Sequence, residues 1–318
     1  MAARRLFSTC SLVFREFLVS KPGMFAKVID GKAIGAAVRR EVREEIQQLV
    51  SAGHRAPCLT FVRVGQDEAS KSYVSGKSKA AREAGIKDQT IVKDEDITQE
   101  ELLALIDNLN KDDEVDGMLV QLPLPPHIDE KTIVNAVHPS KDVDGFNVLN
   151  IGRFSSGSPY LLPATPAGVI EILKRCNFDT FGRHVCMVGR SKNIGFPLLT
   201  LLHSDGTGDA TVTICHRYTP PEHLPICTKM ADFVIVATGI PNLITKDMIK
   251  PGAVVIDIGI NRIKDKDGKT QLVGDCDFEG ISQVARAITP VPGGVGPMTV
   301  AMLLQNTLTA WKKKLSKQ

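Results

Sequence analysis

The apolar positions of this chain change their spacing repeatedly, from short continuous runs to helical periodicity and back. Residues 59–64, 86–92 and 115–122 are short apolar runs of the kind that form buried strands. Two segments with helical spacing, 70–85 and 98–109, lie between them. Because parallel strands need a crossover connection, this alternation predicts a parallel βαβαβ arrangement. The first half of the chain is therefore predicted to be an α/β domain.

A second alternation follows Pro163 and predicts a second α/β domain. Strands are predicted at 184–188, 210–215, 233–237 and 254–258, and helices at 194–202, 221–230 and 278–285. The segment 152–166 is rich in Gly, Ser and Pro, so we place a domain boundary there.

The boundary is followed by a predicted connecting helix at 167–176, and a last helix is predicted at 298–313. That last helix could return to the first domain. We therefore predict a catalytic domain of residues 25–165 with 298–318, and a dinucleotide-binding domain of residues 166–297.

Composition narrows the class of protein. The 318 residues are 43% hydrophobic, and no apolar run approaches the ~20 residues of a membrane span. The net charge of +3 comes from interleaved acids and bases, which does not favour nucleic acid as a partner. The seven cysteines lack C-x-x-C spacing, so we interpret them as reduced, buried thiols.

The first two dozen residues differ from the rest of the chain. Arg4, Arg5 and Arg15 stand among apolar and hydroxyl side chains, with Glu16 as the only acid. That composition is typical of an amphipathic mitochondrial presequence, which we predict for residues 1–24. A tail without targeting function, or an internal start at Met24, stays open.

Tyr73 and Lys77 are the most informative pair in the first domain. They are four residues apart in a predicted helix that Ser70 could cap and Gly85 could end, so they share one helix face. Taken alone, a solvated lysine over a packed tyrosine is the commoner arrangement. The pair nevertheless places an aromatic face and an amine side by side, and the other motifs of the chain make the commoner arrangement less favoured.

A glycine turn opens the second domain. Gly189 and Gly195 connect a buried strand to a helix, although the full G-x-G-x-x-G pattern is absent. Backbone N–H groups at such a turn suit a pyrophosphate. Gly239 and Gly259 follow later strands and would let a cofactor approach the backbone.

Arg217 stands where an NAD-specific enzyme commonly has an acid. Together with Arg190 it suggests either the 2′-phosphate of NADP or a free phosphate. Asp209 could hold a metal ion that recruits that phosphate, or it could be a turn residue.

Five ordered motifs together resemble one family. They are Tyr73-Val74-x-x-Lys77, Val120 to Pro125, Lys141 to Gly145, Gly189-Arg190-Ser191, and Pro290 to Thr299. In this order they are similar to the methylenetetrahydrofolate dehydrogenase/methenyltetrahydrofolate cyclohydrolase family. The resemblance implies an N-terminal α/β folate domain, a C-terminal Rossmann-like domain, a folate cleft between them and a homodimer.

The resemblance also implies roles for the matched residues. Tyr73 would stack on the folate, Asp144 would bind the pterin edge, and Lys77, oriented by Gln121, would act as the general base. That role requires a neutral amine, which burial beside a cationic substrate would favour. The substrate-binding set implied is Tyr73, Val74, Lys77, Val120, Gln121, Leu122, Asp144, Pro292, Gly293, Gly296 and Pro297.

The cofactor set implied by the resemblance lies in the second domain and at the start of the last helix. It is Gly189, Arg190, Ser191, Ile194, Gly195, His216, Arg217, Thr238, Gly239, Ile258, Gly259, Ile260, Gly294 and Thr299. The segment around Asp209 resembles the mitochondrial branch, which uses NAD with magnesium and phosphate. Arg190 and Arg217 would then bind phosphate and Asp209 would bind Mg²⁺, with Asp205 as a weaker ligand.

The predicted activity is oxidation of 5,10-methylenetetrahydrofolate followed by hydrolysis to 10-formyltetrahydrofolate. Two alternatives stay open. The chain could be an NADP-using member of the same family, or it could be a Rossmann dehydrogenase that acts on another small substrate.

Overall fold

The computed structural model describes residues 17–23, 25–264 and 268–316, which form two compact units. One unit contains the described residues up to Ile34 together with Gly168–Met298. The other contains Gly35–Ala167 and the described residues from Thr299 onward.

The strands and helices alternate along both units. The strands are β1 Leu18–Val19, β2 Lys27–Ile29, β3 Cys58–Val64, β4 Lys87–Lys93, β5 Gly117–Val120, β6 His184–Val188, β7 Thr211–Cys215, β8 Phe233–Val236, β9 Val254–Asp257, β10 Asn261–Lys264, β11 Thr270–Val273 and β12 Ala287–Ile288. The α-helices are α1 Gly31–Ser51, α2 Glu68–Glu83, α3 Gln99–Lys111, α4 Glu130–Ala136, α5 Val148–Ser155, α6 Ala164–Arg175, α7 Gly195–His203, α8 His223–Met230, α9 Phe278–Ile281 and α10 Val295–Leu315.

The unit that contains Lys77 is built on a parallel sheet with the strand order β4-β3-β5, and we call it the three-stranded unit. Helix α3 begins with a capping box, in which Thr98 and Glu101 bond each other's backbone N–H groups. Its buried residues Leu102 and Ile106 pack against Val62 and Val120 of the sheet. Full burial of each such aliphatic side chain contributes about 1.5–3 kcal/mol.

The other unit, which we call the seven-stranded unit, has the strand order β1-β2-β12-β9-β8-β6-β7. Neighbouring strands are parallel except for β1 and β2. Every residue of β8 and β9 is buried, as expected for central strands of a parallel sheet covered on both faces. The carboxyl ends of β6, β8 and β9 therefore meet at one edge of this sheet.

The predicted strands and helices all occur, with ends that differ by a few residues. Helix α1 was not predicted, although Ile34, Val38, Val42 and Ile46 recur every four residues and are buried. The β10–β11 hairpin, the short strands β1, β2 and β12, and helices α4 and α5 were also missed. Short elements without a long apolar run give little periodic signal.

Near the N-terminus, the two compact units divide the chain differently from the predicted domains. Residues 25–34 were assigned to the catalytic domain, but β2 pairs with β12 and so belongs to the seven-stranded unit. Residues 1–16 and Met24 of the predicted presequence lie outside the described residues. Leu18 and Val19, which were excluded from the fold, pair with Ile29 and Val28 of β2.

Among the described residues, no helix combines the length and the apolar character that crossing a membrane would require.

Candidate active site

Helix α2 carries Tyr73 and Lys77 on one face. The helix is capped by Asp67, whose side chain accepts a hydrogen bond from the Ser70 backbone N–H at 2.7 Å. The predicted cap, Ser70, lies instead in the first turn and is buried. Gly85 ends the helix as predicted, with φ 81°.

Neighbouring residues of helix α2 differ in exposure: some pack inside the unit, and others stay accessible to a ligand. Val74 is buried in the unit, whereas 46% of Tyr73 is exposed. An aromatic ring that stays this exposed offers a surface on which a planar ligand can stack. Lys77, one turn further along, is partly buried.

Gln121 joins this face from the end of β5. Its backbone N–H donates to Val62 O at 2.8 Å, so the residue continues the sheet ladder. Its Nε2 donates to Leu122 O at 2.7 Å, which directs Oε1 toward Lys77. Lys77 Nζ donates to that Oε1 at 3.1 Å. The structure thus brings together the predicted amine and the residue predicted to orient it.

A tight loop positions Asp144. Its neighbour Asp142 is buried and accepts backbone hydrogen bonds from Gly145 at 3.1 Å, Phe146 at 3.3 Å and Asn147 at 2.8 Å. Gly145 has φ 73°, and a Cβ there would lie 2.6 Å from the backbone of Leu162. Asp142 therefore holds the loop, and Asp144 is the carboxylate left to meet a ligand.

Burial raises the pKa of Asp144 from 3.8 to about 6, the positive charge of Lys77 lowers it, and the negative charge of Asp142 adds to the rise. Lys77 is thus close enough to Asp144 to affect the ionisation of this carboxyl group. A carboxylate that is partly desolvated in this way forms strong hydrogen bonds with paired N–H donors. The three-stranded unit consequently presents an aromatic ring, an oriented amine and a carboxylate acceptor.

The glycine turn after β6 has the tight geometry that its sequence suggests. Gly189 has φ 125°, and a Cβ there would lie 2.2 Å from Ala237 O. A Cβ on Gly195 would lie 2.4 Å from Gly189 O. Ser191 Oγ accepts from the Ile194 N–H at 3.1 Å and thereby caps the start of α7. Only glycine allows this close approach of strand, turn and helix.

The strands β8 and β9, which follow β6 on one side of the sheet, end beside this turn. Thr238 and Gly239 follow β8, and Ile258, Gly259 and Ile260 follow β9. Gly239 has φ 72° and open space where a Cβ would stand, so a ligand can approach its backbone. Ligands of open α/β sheets bind at the carboxyl ends of strands.

Two buried acids behind these strand ends were missed by the sequence analysis. Asp257 and Asp275 accept hydrogen bonds from backbone N–H groups around the predicted cofactor residues. Gly274-Asp275 follows an exposed strand of the β10–β11 hairpin, and it has no motif that sets it apart from a surface turn.

Arg190 and Arg217 both contact the ring of Tyr218. Their guanidinium carbons are 5.4 Å and 5.3 Å from the centroid of its ring, which is an arrangement of two cation–π contacts. His216 accepts from the Tyr218 N–H through Nδ1 at 3.2 Å and so shapes the same loop. The structure brings the two predicted anion-binding arginines together, and adds a tyrosine that the sequence analysis did not include.

The predicted metal ligand Asp209 is not part of this arginine pair. It precedes β7 and its O atom accepts from the Gly182 N–H at 3.0 Å, at the amino ends of β6 and β7. Arg190 and Arg217 follow the carboxyl ends of the same two strands. A strand of this length spans about 13 Å, so Asp209 and the two arginines follow opposite ends of the strands.

Asp209 instead behaves as the turn residue that the sequence left as an alternative. It has φ 48°, and both carboxylate oxygens accept from the Gly206 N–H, at 3.0 Å and 3.2 Å. Asp205 lies exposed in the same turn. Within the described part of the chain, no group of three or more His, Cys, Asp or Glu side chains is arranged to hold a metal ion. Binding of Mg²⁺ by Asp209, with Asp205 as a weaker ligand, stays a prediction.

The predicted residues of the last motif fall in both units. Pro292, Gly293, Gly294, Gly296 and Pro297 belong to the seven-stranded unit, and Thr299 belongs to the three-stranded unit. A Cβ on Gly31 would lie 1.8 Å from Gly294 O, so the loop packs directly on the start of α1. Thr299 Oγ1 is 3.0 Å from Thr165 Oγ1.

These features define a class of enzyme: an α/β protein with a Rossmann-like cofactor edge and a separate site built around a lysine. Two family models match the chain. Residues 29–144 match the tetrahydrofolate dehydrogenase/cyclohydrolase catalytic domain, and residues 163–315 match the NAD(P)-binding domain of the same family. The chain belongs to the tetrahydrofolate dehydrogenase/cyclohydrolase family.

Individual relatives agree with this assignment. The chain is 56% identical to the mitochondrial bifunctional methylenetetrahydrofolate dehydrogenase/cyclohydrolase of Gallus gallus, over 95% of this chain and 91% of that protein. It is 55% identical to the mitochondrial enzyme of Drosophila melanogaster, over 91% of this chain and 96% of that protein.

Among solved structures, a 5,10-methylenetetrahydrofolate dehydrogenase from the silkworm Bombyx mori superimposes with a TM-score of 0.87. It is 50% identical, with 92% of this chain and 99% of that chain covered. The predicted fold class and family are thereby confirmed.

Proposed function

We propose that this chain oxidises 5,10-methylenetetrahydrofolate to 5,10-methenyltetrahydrofolate with NAD, and then hydrolyses the product to 10-formyltetrahydrofolate. Membership of the family supports both reactions. The observation that carries the proposal is the hydrogen bond from Lys77 Nζ to Gln121 Oε1, on the helix face that also presents Tyr73. A dehydrogenase of an unrelated small substrate would not need this aromatic and amine pair.

Tyr73 and Asp144 provide the groups that a pterin requires. The exposed ring of Tyr73 can stack on the flat heterocycle. Asp144 can accept two N–H donors from the aminopyrimidinone edge, a charge-assisted pair of hydrogen bonds. Both contacts orient the one-carbon bridge of the substrate before any bond changes.

The nicotinamide cofactor suits the carboxyl edge of the seven-stranded unit. Gly189 and Gly195 leave room for a pyrophosphate at the start of α7, and Gly239 leaves the end of β8 open. The cofactor, when bound, accepts the hydride that leaves the one-carbon bridge. The protein's contribution to this step is alignment, because hydride transfer needs no base.

Hydrolysis needs a base, and Lys77 is the proposed one. Water attacks the methenyl carbon, and the neutral amine of Lys77 takes a proton from it. The bond between this carbon and N5 then breaks, and the hydroxyl oxygen becomes the formyl carbonyl as its proton passes to N5. The proton that Lys77 took is released to solvent. Gln121 accepts a hydrogen bond from Lys77 Nζ without adding a negative charge, and so it orients Lys77.

Arg190 and Arg217 support an anion next to the cofactor. Two guanidinium groups around one tyrosine suit either the 2′-phosphate of NADP or an inorganic phosphate that accompanies NAD. We propose the inorganic phosphate, because the chain resembles the mitochondrial relatives. The position of Asp209 does not support a Mg²⁺ ion bound between it and these arginines.

The test is a set of initial rates with NAD or NADP, each with and without phosphate and Mg²⁺. An NAD rate that rises strongly with phosphate supports the proposal. A higher NADP rate that is indifferent to phosphate would show that the arginines bind the 2′-phosphate directly. Turnover with neither cofactor would refute the folate activity.

The variant Asp209→Asn separates the metal question from the anion question. Stimulation by phosphate and Mg²⁺ that persists in Asp209→Asn would agree with the turn role of this residue. Loss of that stimulation, with the fold retained, would show that Asp209 is a metal ligand.

We also propose that the protein is a mitochondrial homodimer. Mitochondrial location is supported by the names of the relatives and by the basic, amphipathic first residues. A reporter fused to residues 1–24 should reach mitochondria, and light scattering of the purified chain should give twice the 34.5 kDa mass.

A further inference from the structure

Two carboxylates lie behind the cofactor edge without any assigned role. Asp275 is 0% exposed and Asp257 is 3% exposed. A buried carboxylate is unfavourable unless several donors satisfy it. The donors that satisfy these two acids belong to the strand ends at which the cofactor is proposed to bind.

Asp275 connects the end of β8 to the start of β10. Its Oδ2 accepts from the backbone N–H groups of Thr238 at 2.5 Å and Gly239 at 3.0 Å. The hydroxyl of Thr238 donates to the same oxygen at 3.0 Å. Its Oδ1 accepts from Asn261 Nδ2 at 2.8 Å. One side chain therefore determines the direction of the peptide groups at 238 and 239.

Asp275 also packs against the end of β9. A Cβ on Gly259 would lie 2.2 Å from Asp275 Oδ1, so this glycine and the carboxylate are in direct contact. The loops after β8 and β9 are thus both supported by one carboxylate. Movement of Asp275 would change the position of both loops.

Asp257 fixes Asp275 in turn. Its Oδ1 accepts from the backbone N–H groups of Asp275 at 3.0 Å and Gly259 at 2.9 Å, and its Oδ2 accepts from Cys276 at 2.9 Å. A Cβ on Gly274 would lie 1.9 Å from Asp257 Oδ2, so there is no space for the loop to shift toward this acid. The two acids form a series in which Asp257 holds Asp275 and Asp275 holds the cofactor loops.

We propose that Asp275 is a positioning residue for nicotinamide cofactor binding, acting through Thr238, Gly239 and Gly259. The inference rests on the proposed cofactor site and adds a residue that touches neither cofactor nor substrate. A carboxylate is required because Oδ2 accepts three hydrogen bonds while Oδ1 accepts a fourth from Asn261. An amide of the same shape must turn its own N–H₂ toward one of these donors.

The test exchanges carboxylate and amide between positions 275 and 261. Asp275→Asn removes the negative charge on which the donors of Thr238, Gly239 and Asn261 converge, and Asn261→Asp places a second carboxylate against Oδ1. We expect the Kd and KM for NAD to rise about tenfold in each variant. In the double variant the amide at 275 can donate to the carboxylate at 261. We expect the double variant to return to within about threefold of the wild-type affinity.

Cyclohydrolase activity on methenyltetrahydrofolate is the second readout. It depends on Lys77 and Gln121 of the three-stranded unit, so a positioning role predicts a change of less than twofold in kcat/KM. Asp277→Asn is the matched control, because Asp277 lies two residues further on and caps α9 through the Gly280 N–H at 3.1 Å. An asparagine caps a helix equally well, so NAD affinity should not change.

Several outcomes would overturn the inference. NAD affinity within twofold of wild type in Asp275→Asn would do so. Equal losses of NAD affinity and cyclohydrolase activity, without recovery in the double variant, would show a purely structural role. If Asp275→Asn does not fold, Asn261→Asp alone decides, and unchanged NAD affinity in that variant overturns the role.

Calorimetric titration with NAD alone keeps this test separate from the proposed function. It requires no folate substrate. A wild-type protein that binds NAD but turns over no folate would refute the folate activity and still allow the role of Asp275 to be decided.

Discussion

In the three-stranded unit the groups offered to a ligand are side chains, whereas in the seven-stranded unit they are mainly backbone atoms at strand ends. Lys77, Gln121, Tyr73 and Asp144 project their functional atoms from one helix and two loops. The proposed cofactor edge depends instead on glycine backbone, and at Gly189, Gly195 and Gly259 an added Cβ would lie within 2.4 Å of another atom.

This difference determines how each site can be damaged. A site made of side chains loses one function when one functional group is exchanged. A site made of backbone atoms changes only when a glycine gains a side chain or when a supporting carboxylate is replaced. The predictions below test this contrast, from the largest expected effect to the smallest.

Lys77→Gln should have the largest effect. Without an amine to accept a proton, cyclohydrolase activity should fall about 10³-fold, within the range typical of a lost general base. Calorimetric NAD affinity should be unchanged, since the cofactor edge is not altered. Lys79→Gln, an exposed lysine on the same helix, is the control and should retain full activity. Full hydrolysis by Lys77→Gln would exclude the general-base role.

Gly189→Ala should produce the opposite selectivity. The new Cβ would lie 2.2 Å from Ala237 O at a φ of 125°, so the turn must move. We expect NAD affinity to fall about 100-fold while the folded protein keeps its cyclohydrolase activity. Gly252→Ala is the control for strain alone, because its φ is 83° but no atom lies within 4 Å of the added Cβ. Equal effects of the two substitutions would show that the close contact at Gly189 is unimportant.

Gln121→Glu should have a smaller effect. The exchange keeps an acceptor near Lys77 Nζ but adds a negative charge beside the amine that the proposed mechanism requires to be neutral. Cyclohydrolase activity near neutral pH should fall about 10–30-fold, while NAD affinity stays unchanged. Activity within twofold of the wild-type value would mean that the neutral side chain of Gln121 is not important for the role of Lys77.

Asp144 should give the smallest effect, seen in the pH dependence of folate binding. Its pKa is raised to about 6, so the carboxylate needed for the pterin is lost as pH falls through that value. The KM for the folate substrate should rise up to about tenfold per pH unit below 6, while the KM for NAD does not follow this dependence. A folate KM that is flat between pH 7 and 5 would contradict the role of Asp144.

The raised pKa of Asp144 also affects the free energy of unfolding. Because the pKa of Asp144 is higher in the folded chain than its ordinary value of 3.8, the ionised side chain destabilises the fold above pH 6. This destabilisation disappears as pH falls toward 4. Asp144→Asn should therefore raise the free energy of unfolding at neutral pH by about 1–2 kcal/mol, while weakening folate binding.

Much of this organisation could be predicted from the sequence, for identifiable reasons. The buried runs of β3, β6, β8 and β9 gave a clear signal because central parallel strands are apolar on both faces. Lys77 and Gln121 were found through their motifs, and the structure joins them by a hydrogen bond.

Other features depend on tertiary contacts that leave no local pattern. Asp275 acts on Thr238 and Gly239, which are more than 30 residues away, so nothing in its own segment indicates the role. For Asp209, by contrast, a local motif was present but the tertiary position differs from the expected one. Its motif suggested a ligand, yet the parallel register of β6 and β7 puts it at the other end of the strand from Arg217.

The two arginines around Tyr218 have a consequence for how the protein would respond to acidity. Arginine side chains are permanently charged groups in proteins, and two of them contact the ring of Tyr218. A phosphate ester, by contrast, loses its second proton near pH 6. Any change of anion binding on acidification would therefore come from protonation of the bound ligand. The same pair of arginines would discriminate between ligands by how readily each one ionises.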